Sequence, residues 1–220
     1  CAYKPNLAFY EALGLDGLRA LQRTINYIPE NIPVIGDAKR GDIENTSKAH
    51  AKSLFEVYGF DAVTINPYLG HDSVKPFLEY KDRGVFILCK TSNPGSSDFQ
   101  TLDIIHGTES RPMYMEVALR AKDWNQWGNV GLVVGATHPN ELREIRTLCP
   151  DMPILIPGIG AQGGWLETAV SIGVDGRHGV FLISSSRQVL YASNGDDFAK
   201  VARQIALDLR NEINRHRGVN

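Results

Sequence analysis

Several protein classes are excluded by what this chain lacks. Only three cysteines occur, Cys1, Cys89 and Cys149, and they are scattered with no Cys-x-x-Cys pair. Such a set is not a disulfide framework and offers no thiolate zinc site. Cys89 closes the apolar run Val85-Phe-Ile-Leu-Cys and reads as core packing. A reducing cytoplasm fits this usage best. No apolar run approaches the roughly 18 residues that a membrane span needs, and the opening residues do not read as a signal peptide. Charge of one sign is not in excess, because 23 Lys and Arg stand against 25 Asp and Glu for a formal net charge of -2. Neither a nucleic-acid footprint nor a polybasic membrane face is expected. Among the six histidines no two have metal-ligand spacing, so each reads as a surface residue. A Walker loop, a nucleophile elbow and a Rossmann glycine fingerprint are all missing.

What remains is a regular alternation. Short runs rich in Val and Ile lie at Cys1–Lys4, Pro33–Asp37, Ala62–Asn66, Gly84–Lys90, Val130–Gly135, Pro153–Pro157 and Gly179–Ser184. They are nearly continuous in hydrophobicity, as strands buried on both faces are. Helical patterns fall between them, near 15–28, 44–58, 71–80, 111–125, 138–148, 163–172 and 196–215. Pro139, after His138, suits a helix start, and Asp196 suits the cap of the last helix. Trp124, Trp127 and Trp165 read as helix or interface packing. The pattern predicts an α/β fold, a (β/α)8 TIM barrel, as one domain over residues 1–220. Seven βα units are present and an eighth is expected upstream of Cys1, so the barrel reads as N-terminally incomplete.

Function in such barrels sits at the C-terminal ends of the strands. The stretch PVIGDAKRGDIENTSKAH, from Pro33 to His50, carries charges straight out of an apolar run. Charges at the mouth of a buried strand are costly unless they are paired or used. Asp37 and Lys39, two apart on a strand, should face the same way. Asp42 follows past Gly41 and can be read either as a helix cap or as a second functional carboxylate. A lysine held between carboxylates stays protonated and aimed, and can act as a general acid.

Two further features lie at later strand ends. PGIGAQGG, Pro157 to Gly164, precedes a helix and is either an ordinary tight turn or a cradle for an anion. The next strand runs into Ser-Ser-Ser-Arg, ending at Arg187, and phosphate commonly binds at the last two loops of such barrels. The polar segment Asn93 to Arg111 reads as a loop, a lid or rim over a ligand or else a disordered stretch.

Together these residues resemble a known family. GDAKRGDIENT is similar to the Asp-x-Lys-x-x-Asp-Ile-x-x-Thr pattern of orotidine 5′-phosphate decarboxylases, in the form of the branch called type 2. KTSNPGS, PGIGAQGG and SSSR resemble the other site loops of that family, in the same order, and the resemblance covers essentially the whole chain. It implies a homodimeric (β/α)8 barrel that converts orotidine 5′-phosphate to uridine 5′-phosphate and CO2 in pyrimidine biosynthesis, with no metal and no organic cofactor. By the same resemblance Lys39 protonates C6, Asp37 positions that lysine, and Lys4 completes the charge network. Asp42 and Thr46 reach the partner's site across the dimer. Ser92 reads the pyrimidine edge, Pro157 lies against the base, and Gln162 and Arg187 grip the phosphate. Two departures stand out: the family's ribose-contacting Asp on the first strand is absent from this sequence, and Gln188 occupies a place where relatives often have Gly.

Two other readings remain open on the residues alone. One is a Mg2+-dependent sugar-phosphate decarboxylase or aldol-type synthase of the same barrel superfamily, which also carries Asp-x-Lys. Such enzymes need further acidic ligands at strand ends, and none follows the 62–66 or 84–90 runs. The other is a nucleotide-binding relative without catalysis.

Overall fold

Continuous Val- and Ile-rich runs suit parallel strands covered on both faces, and most of them form such strands. A computed structural model describes residues 1–160, 165–174 and 180–218. The strands are β1 (Ile35–Arg40), β2 (Ala62–Ile65), β3 (Gly84–Lys90), β4 (Asp103–His106), β5 (Glu109–Pro112), β6 (Val130–Val134), β7 (Ile154–Pro157) and β8 (Phe181–Ser184). The helices are α1 (Leu7–Glu11), α2 (Gly14–Tyr27), α3 (Glu44–Lys52), α4 (His71–Leu78), α5 (Met113–Trp124), α6 (Pro139–Leu148), α7 (Leu166–Val174), α8 (Arg187–Leu190) and α9 (Phe198–His216). Parallel strands hydrogen bond in the order β1-β2-β3-β6-β7-β8, while β4 and β5 form a separate antiparallel pair. No described helix is long and apolar enough to cross a membrane.

The chain divides into two compact units. The first comprises residues 1–88 with 121–131. Val63 and Ile65 of β2 are fully buried, and Phe60, Val74, Phe77 and Leu21 pack out of solvent with them. Gly36 allows β1 to approach Phe60, since a Cβ there would stand 2.6 Å from the ring. Pairing of β1 with β2 begins at Ile35 with Ala62 and Gly36 with Val63, then slips before Arg40 meets Ile65. This irregularity, a bulge, re-aims the side chains it contains. The expected strand at Cys1–Lys4 survives as two isolated parallel bridges, Tyr3 with Val34 and Asn6 with Asp37. Trp124 lies against His71 with ring centroids 5.4 Å apart, and the Lys81 ammonium sits 3.4 Å above the Trp127 ring.

The second unit comprises residues 89–120 with 132–220. Leu132, Val134, Ile154 and Ile156 form its strand core, and Leu142, Ile145, Val170 and Ile172 cover it from the helices. Cys89 is buried as expected, and its thiol donates to the Tyr114 carbonyl. Burial pushes that thiol up, so it is an inert packing group. The buried Arg146 guanidinium gathers the carbonyls of Cys149, Pro150, Met152 and Val180 at 3.3, 3.2, 2.8 and 3.1 Å.

Several expectations need correction. The segment from Asn93 to Arg111 is not a structureless loop. It contains a 3-10 turn at Pro94–Asp98 and the β4–β5 hairpin. Gly107, at φ +63, takes the left-handed conformation inside the hairpin turn. The signal was weak because only Ile104 and Ile105 carry strand character there. The helix expected over 44–58 ends as α-helix at Lys52 and continues as a π turn, Ser53–Val57. The last helix is preceded by Asp197, not Asp196, at its N-cap, and the Asp197 carboxylate accepts from Ser193 Oγ at 2.6 Å instead of capping the helix. Trp165 is 77% exposed. The expected start of the 163–172 helix lies partly outside the described residues, and α7 is described from Leu166.

Candidate active site

In the first unit, the N-terminal segment runs beside β1 through Tyr3 N–H to Pro33 O, Ile35 N–H to Tyr3 O and Asp37 N–H to Pro5 O. This pairing brings Lys4 to Asp37. The Lys4 ammonium donates to Asp37 Oδ2 at 2.8 Å, and the Lys39 ammonium donates to Asp37 Oδ1 at 2.5 Å. One carboxylate, 7% exposed, therefore bridges two ammonium groups. Burial alone would raise the Asp37 carboxyl. The charge of Lys4 and the hydrogen bonds and charge from Lys39 outweigh it, so the group titrates below its ordinary 3.8.

Thr64, at the buried end of β2, holds this arrangement from below. Its hydroxyl donates to Asp37 Oδ1 at 3.0 Å and accepts from the Lys39 backbone N–H at 3.1 Å. Lys39 itself has φ +49, a left-handed backbone for a non-glycine residue. Such a conformation costs on the order of 1–3 kcal/mol and persists where surrounding bonds fix it. The Lys39 side chain remains 47% exposed, so its ammonium is held at one end yet accessible. Thr64 was missed in the sequence, although a Thr inside Ala-Val-Thr-Ile near a strand end was a readable signal.

Asp42 and Thr46 are not joined to this cluster. Asp42 Oδ1 accepts from the neighbouring Ile43 N–H at 2.7 Å, and Ser47 Oγ donates to the Asp42 carbonyl at 2.7 Å. Asp42 is thus not the N-cap of α3; Ile43 is. Thr46 is exposed on the first turns of that helix. Arg40 forms an ion pair with Glu11.

At the ends of β3, β6 and β7 the second unit presents hydroxyls and backbone groups. Thr91 is tied at its N–H and its hydroxyl to the Gln100 side-chain amide, each at 2.8 Å. Ser92 follows, its carbonyl accepting from Thr137 Oγ1 at 3.2 Å. Gly135 lies so near that a Cβ there would meet the Ser92 Cα at 2.7 Å. Its N–H donates to the Lys90 carbonyl at 2.7 Å. Pro157 closes β7, and its carbonyl accepts from the Ala136 N–H at 2.8 Å.

After Pro157, Gly158 and Gly160 adopt φ +98 and +73, so this turn requires glycine at both places. A Cβ on Gly160 would stand 3.4 Å from Gln188 Oε1, which places the Gln188 side chain against the turn. Arg187 begins α8 and is exposed. Gln162 lies outside the described residues. Sequence reasoning gave no individual role to Lys90, Ser96 and His138, which converge on one hydroxyl: Lys90 Nζ donates to Ser96 Oγ at 2.7 Å, and His138 Nε2 lies 3.4 Å from it. Among the described residues no cluster of His, Cys, Asp and Glu has the makeup of a metal site.

Known proteins resemble this chain over nearly its whole length. The family model described as orotidine 5′-phosphate decarboxylase / HUMPS family matches residues 1–207. A curated orotidine 5′-phosphate decarboxylase from Roseiflexus sp. (strain RS-1) is 54% identical over 215 residues, 97% of this chain and 78% of the relative. The solved structure of Leishmania donovani OMP decarboxylase superposes with a TM-score of 0.86 at 42% identity, covering 99% of this chain and 82% of that one. Leishmania donovani UMP synthase superposes with a TM-score of 0.84 at 44% identity, covering 96% of this chain and 46% of that longer one. The fold is the α/β barrel type of these proteins.

Proposed function

The chain belongs to the orotidine 5′-phosphate decarboxylase / HUMPS family and is a carboxy-lyase of the orotidine 5′-phosphate decarboxylase kind, and from that premise we propose how its residues divide the reaction. The substrate orotidine 5′-phosphate loses CO2 to give uridine 5′-phosphate. The bond from C6 to the carboxylate breaks and its electron pair stays on C6. The Lys39 ammonium gives a proton to C6, and the neutral amine is reprotonated from water. One observation carries the reading: Lys4, Asp37 and Lys39 form a row of alternating charge with Lys39 accessible at its end.

The physics supports each role. A fixed ammonium beside C6 stabilises negative charge as it develops there, without reorganising at the moment of reaction. Asp37 keeps that ammonium charged and aimed, and Lys4 keeps Asp37 ionised. Thr64 holds the Lys39 backbone in its strained conformation. Asp42, half-buried, and Thr46, exposed, are both uncommitted to the cluster and act in the site of a second copy of the chain, which makes the working unit a homodimer. Ser92 meets the pyrimidine edge and Pro157 its face. Gln162 and Arg187 take the phosphate, the latter through paired N–H groups. Phosphate contacts remote from C6 supply energy for closing the site around the base. The Mg2+-dependent sugar-phosphate readings are not favoured by relatives at this level of identity.

The test is the decay of orotidine 5′-phosphate absorbance with excess EDTA present. Turnover that persists supports the reading. Activity that appears only with added Mg2+ and a sugar phosphate would overturn it.

A further inference from the structure

A lysine ammonium is rarely buried without a carboxylate. Lys90, the last residue of β3, is 1% exposed. Among the described residues no carboxylate lies within ion-pair distance of it, the Glu141 charge acting from farther off, and its hydrogen bond goes to Ser96 Oγ. His138 Nε2 lies 3.4 Å from that hydroxyl. The other ring nitrogen, Nδ1, lies 3.8 Å from Glu141 Oε1. The result is a polar chain from β3 through the 3-10 turn to the start of α6. Burial, then the charge of Lys90, holds the His138 imidazole below its ordinary 6.5.

The chain of bonds encloses Ser92. Lys90 and Ser96 are the two ends of one segment, and their side chains are joined across it. Inside that segment Thr91 is fixed by Gln100, the Ser92 carbonyl by Thr137, and the Ser92 backbone by the close approach of Gly135. An apolar residue at position 90 would fill the same space and avoid desolvating a charge. It would leave Ser96 without its donor and the turn at Pro94–Asp98 free to shift.

We propose that Lys90 is a positioning residue: by clamping the segment 90–96 through Ser96 it sets where Ser92 presents its hydroxyl, and so tunes recognition of the pyrimidine. This rests on the reading of Ser92 as the residue that meets the base. Lys90 touches no substrate in this scheme.

Lys90→Met keeps the length and removes the ammonium, and Ser96→Ala removes only its acceptor. Exchanging a buried charge for an apolar side chain is often tolerated in folding, and Ser96→Ala serves if Lys90→Met fails to fold. Inhibition constants are measured for uridine 5′-phosphate and for ribose 5-phosphate, which lacks the base. The expected result is about a tenfold weakening of uridine 5′-phosphate, the scale of one displaced hydrogen bond, with ribose 5-phosphate unchanged within about twofold. In a Ser92→Ala background, Lys90→Met should add less than about twofold. Equal weakening of both ligands would make Lys90 a general structural residue and overturn the proposal. So would an effect on uridine 5′-phosphate from Ser92→Ala with none from Lys90→Met or Ser96→Ala, although the reading of Ser92 would stand. No effect from Ser92→Ala itself would instead remove that reading, and the proposal with it.

Discussion

The first unit answers a lysine with a carboxylate, and the second answers one with a hydroxyl. Lys39 is half exposed, paired to Asp37, and carried on a strained backbone. Lys90 is fully enclosed, bonded to Ser96, and sits at the end of a regular strand. The first arrangement keeps an ammonium charged while leaving its tip accessible. The second holds a turn in place and leaves the lysine no access to ligand. The same side chain therefore serves chemistry in one place and architecture in the other, and partner and exposure decide which. The comparison predicts that variants in the first unit act mainly on kcat and variants at the second unit's strand ends mainly on ligand affinity.

The sharpest way to break this comparison is Lys39→Ala. Removing proton donor and fixed charge together should lower kcat by on the order of 10^4, with binding of uridine 5′-phosphate largely kept. Retained turnover would end the proton-donor role. Asp37→Asn should come next, with kcat down roughly 10^2- to 10^3-fold, because two ammonium groups would share one neutral acceptor. Arg187→Ala should act on the other side of the comparison. It should weaken uridine 5′-phosphate by about 10- to 100-fold, as expected for lost charge-assisted bonds. Uridine, lacking the phosphate, should be nearly unaffected; an equal loss for both would refute the phosphate role.

Smaller effects sharpen the comparison further. Thr64→Val removes the hydroxyl that steadies Asp37 and the Lys39 N–H, and should lower kcat about tenfold while changing affinity less. The acid limb of stability should also trace to Asp37. Its folded-state titration lies below the ordinary 3.8, so the folded protein holds this charge to lower pH than the unfolded chain. The stabilisation is complete above 3.8 and is lost as pH falls through the lowered value. Melting temperature against pH should therefore flatten in Asp37→Asn over that range. An unchanged acid slope would mean other carboxylates dominate.

Much of the fold could be read from sequence because buried parallel strands announce themselves as short Val- and Ile-rich runs. Gly84–Lys90 matches β3 at both ends, most of the others differ by a few residues, and Cys1–Lys4 yields only isolated bridges. The β4–β5 hairpin escaped because its strands are short and mostly polar. The pairing of Asp37 with Lys39 was also legible, but for a reason that proved incomplete. Alternation along a regular strand would have put them on one face. They meet instead across a bulge, with Lys39 left-handed. Thr64, Ser96 and His138 were harder to find, because each matters through a partner distant in sequence: 27 residues separate Thr64 from Asp37 and 42 separate Ser96 from His138. Lys90 had a local signal, a charge ending an apolar run, yet its burial depends on tertiary packing.

Arg146 carries a consequence for the order in which the second unit assembles. Its guanidinium collects carbonyls from the turn between α6 and β7, all within six residues, and one more from Val180, 34 residues away at the entrance to β8. Until β8 arrives, that last N–H group points at nothing. The side chain thus acts as a latch that closes only when the final strand docks, and it ties fraying of β8 to loosening of the turn. Amide hydrogens at Ile154 and Leu182 should accordingly exchange with solvent as one cooperative group, and shortening the side chain at 146 should let the β8 amide exchange first.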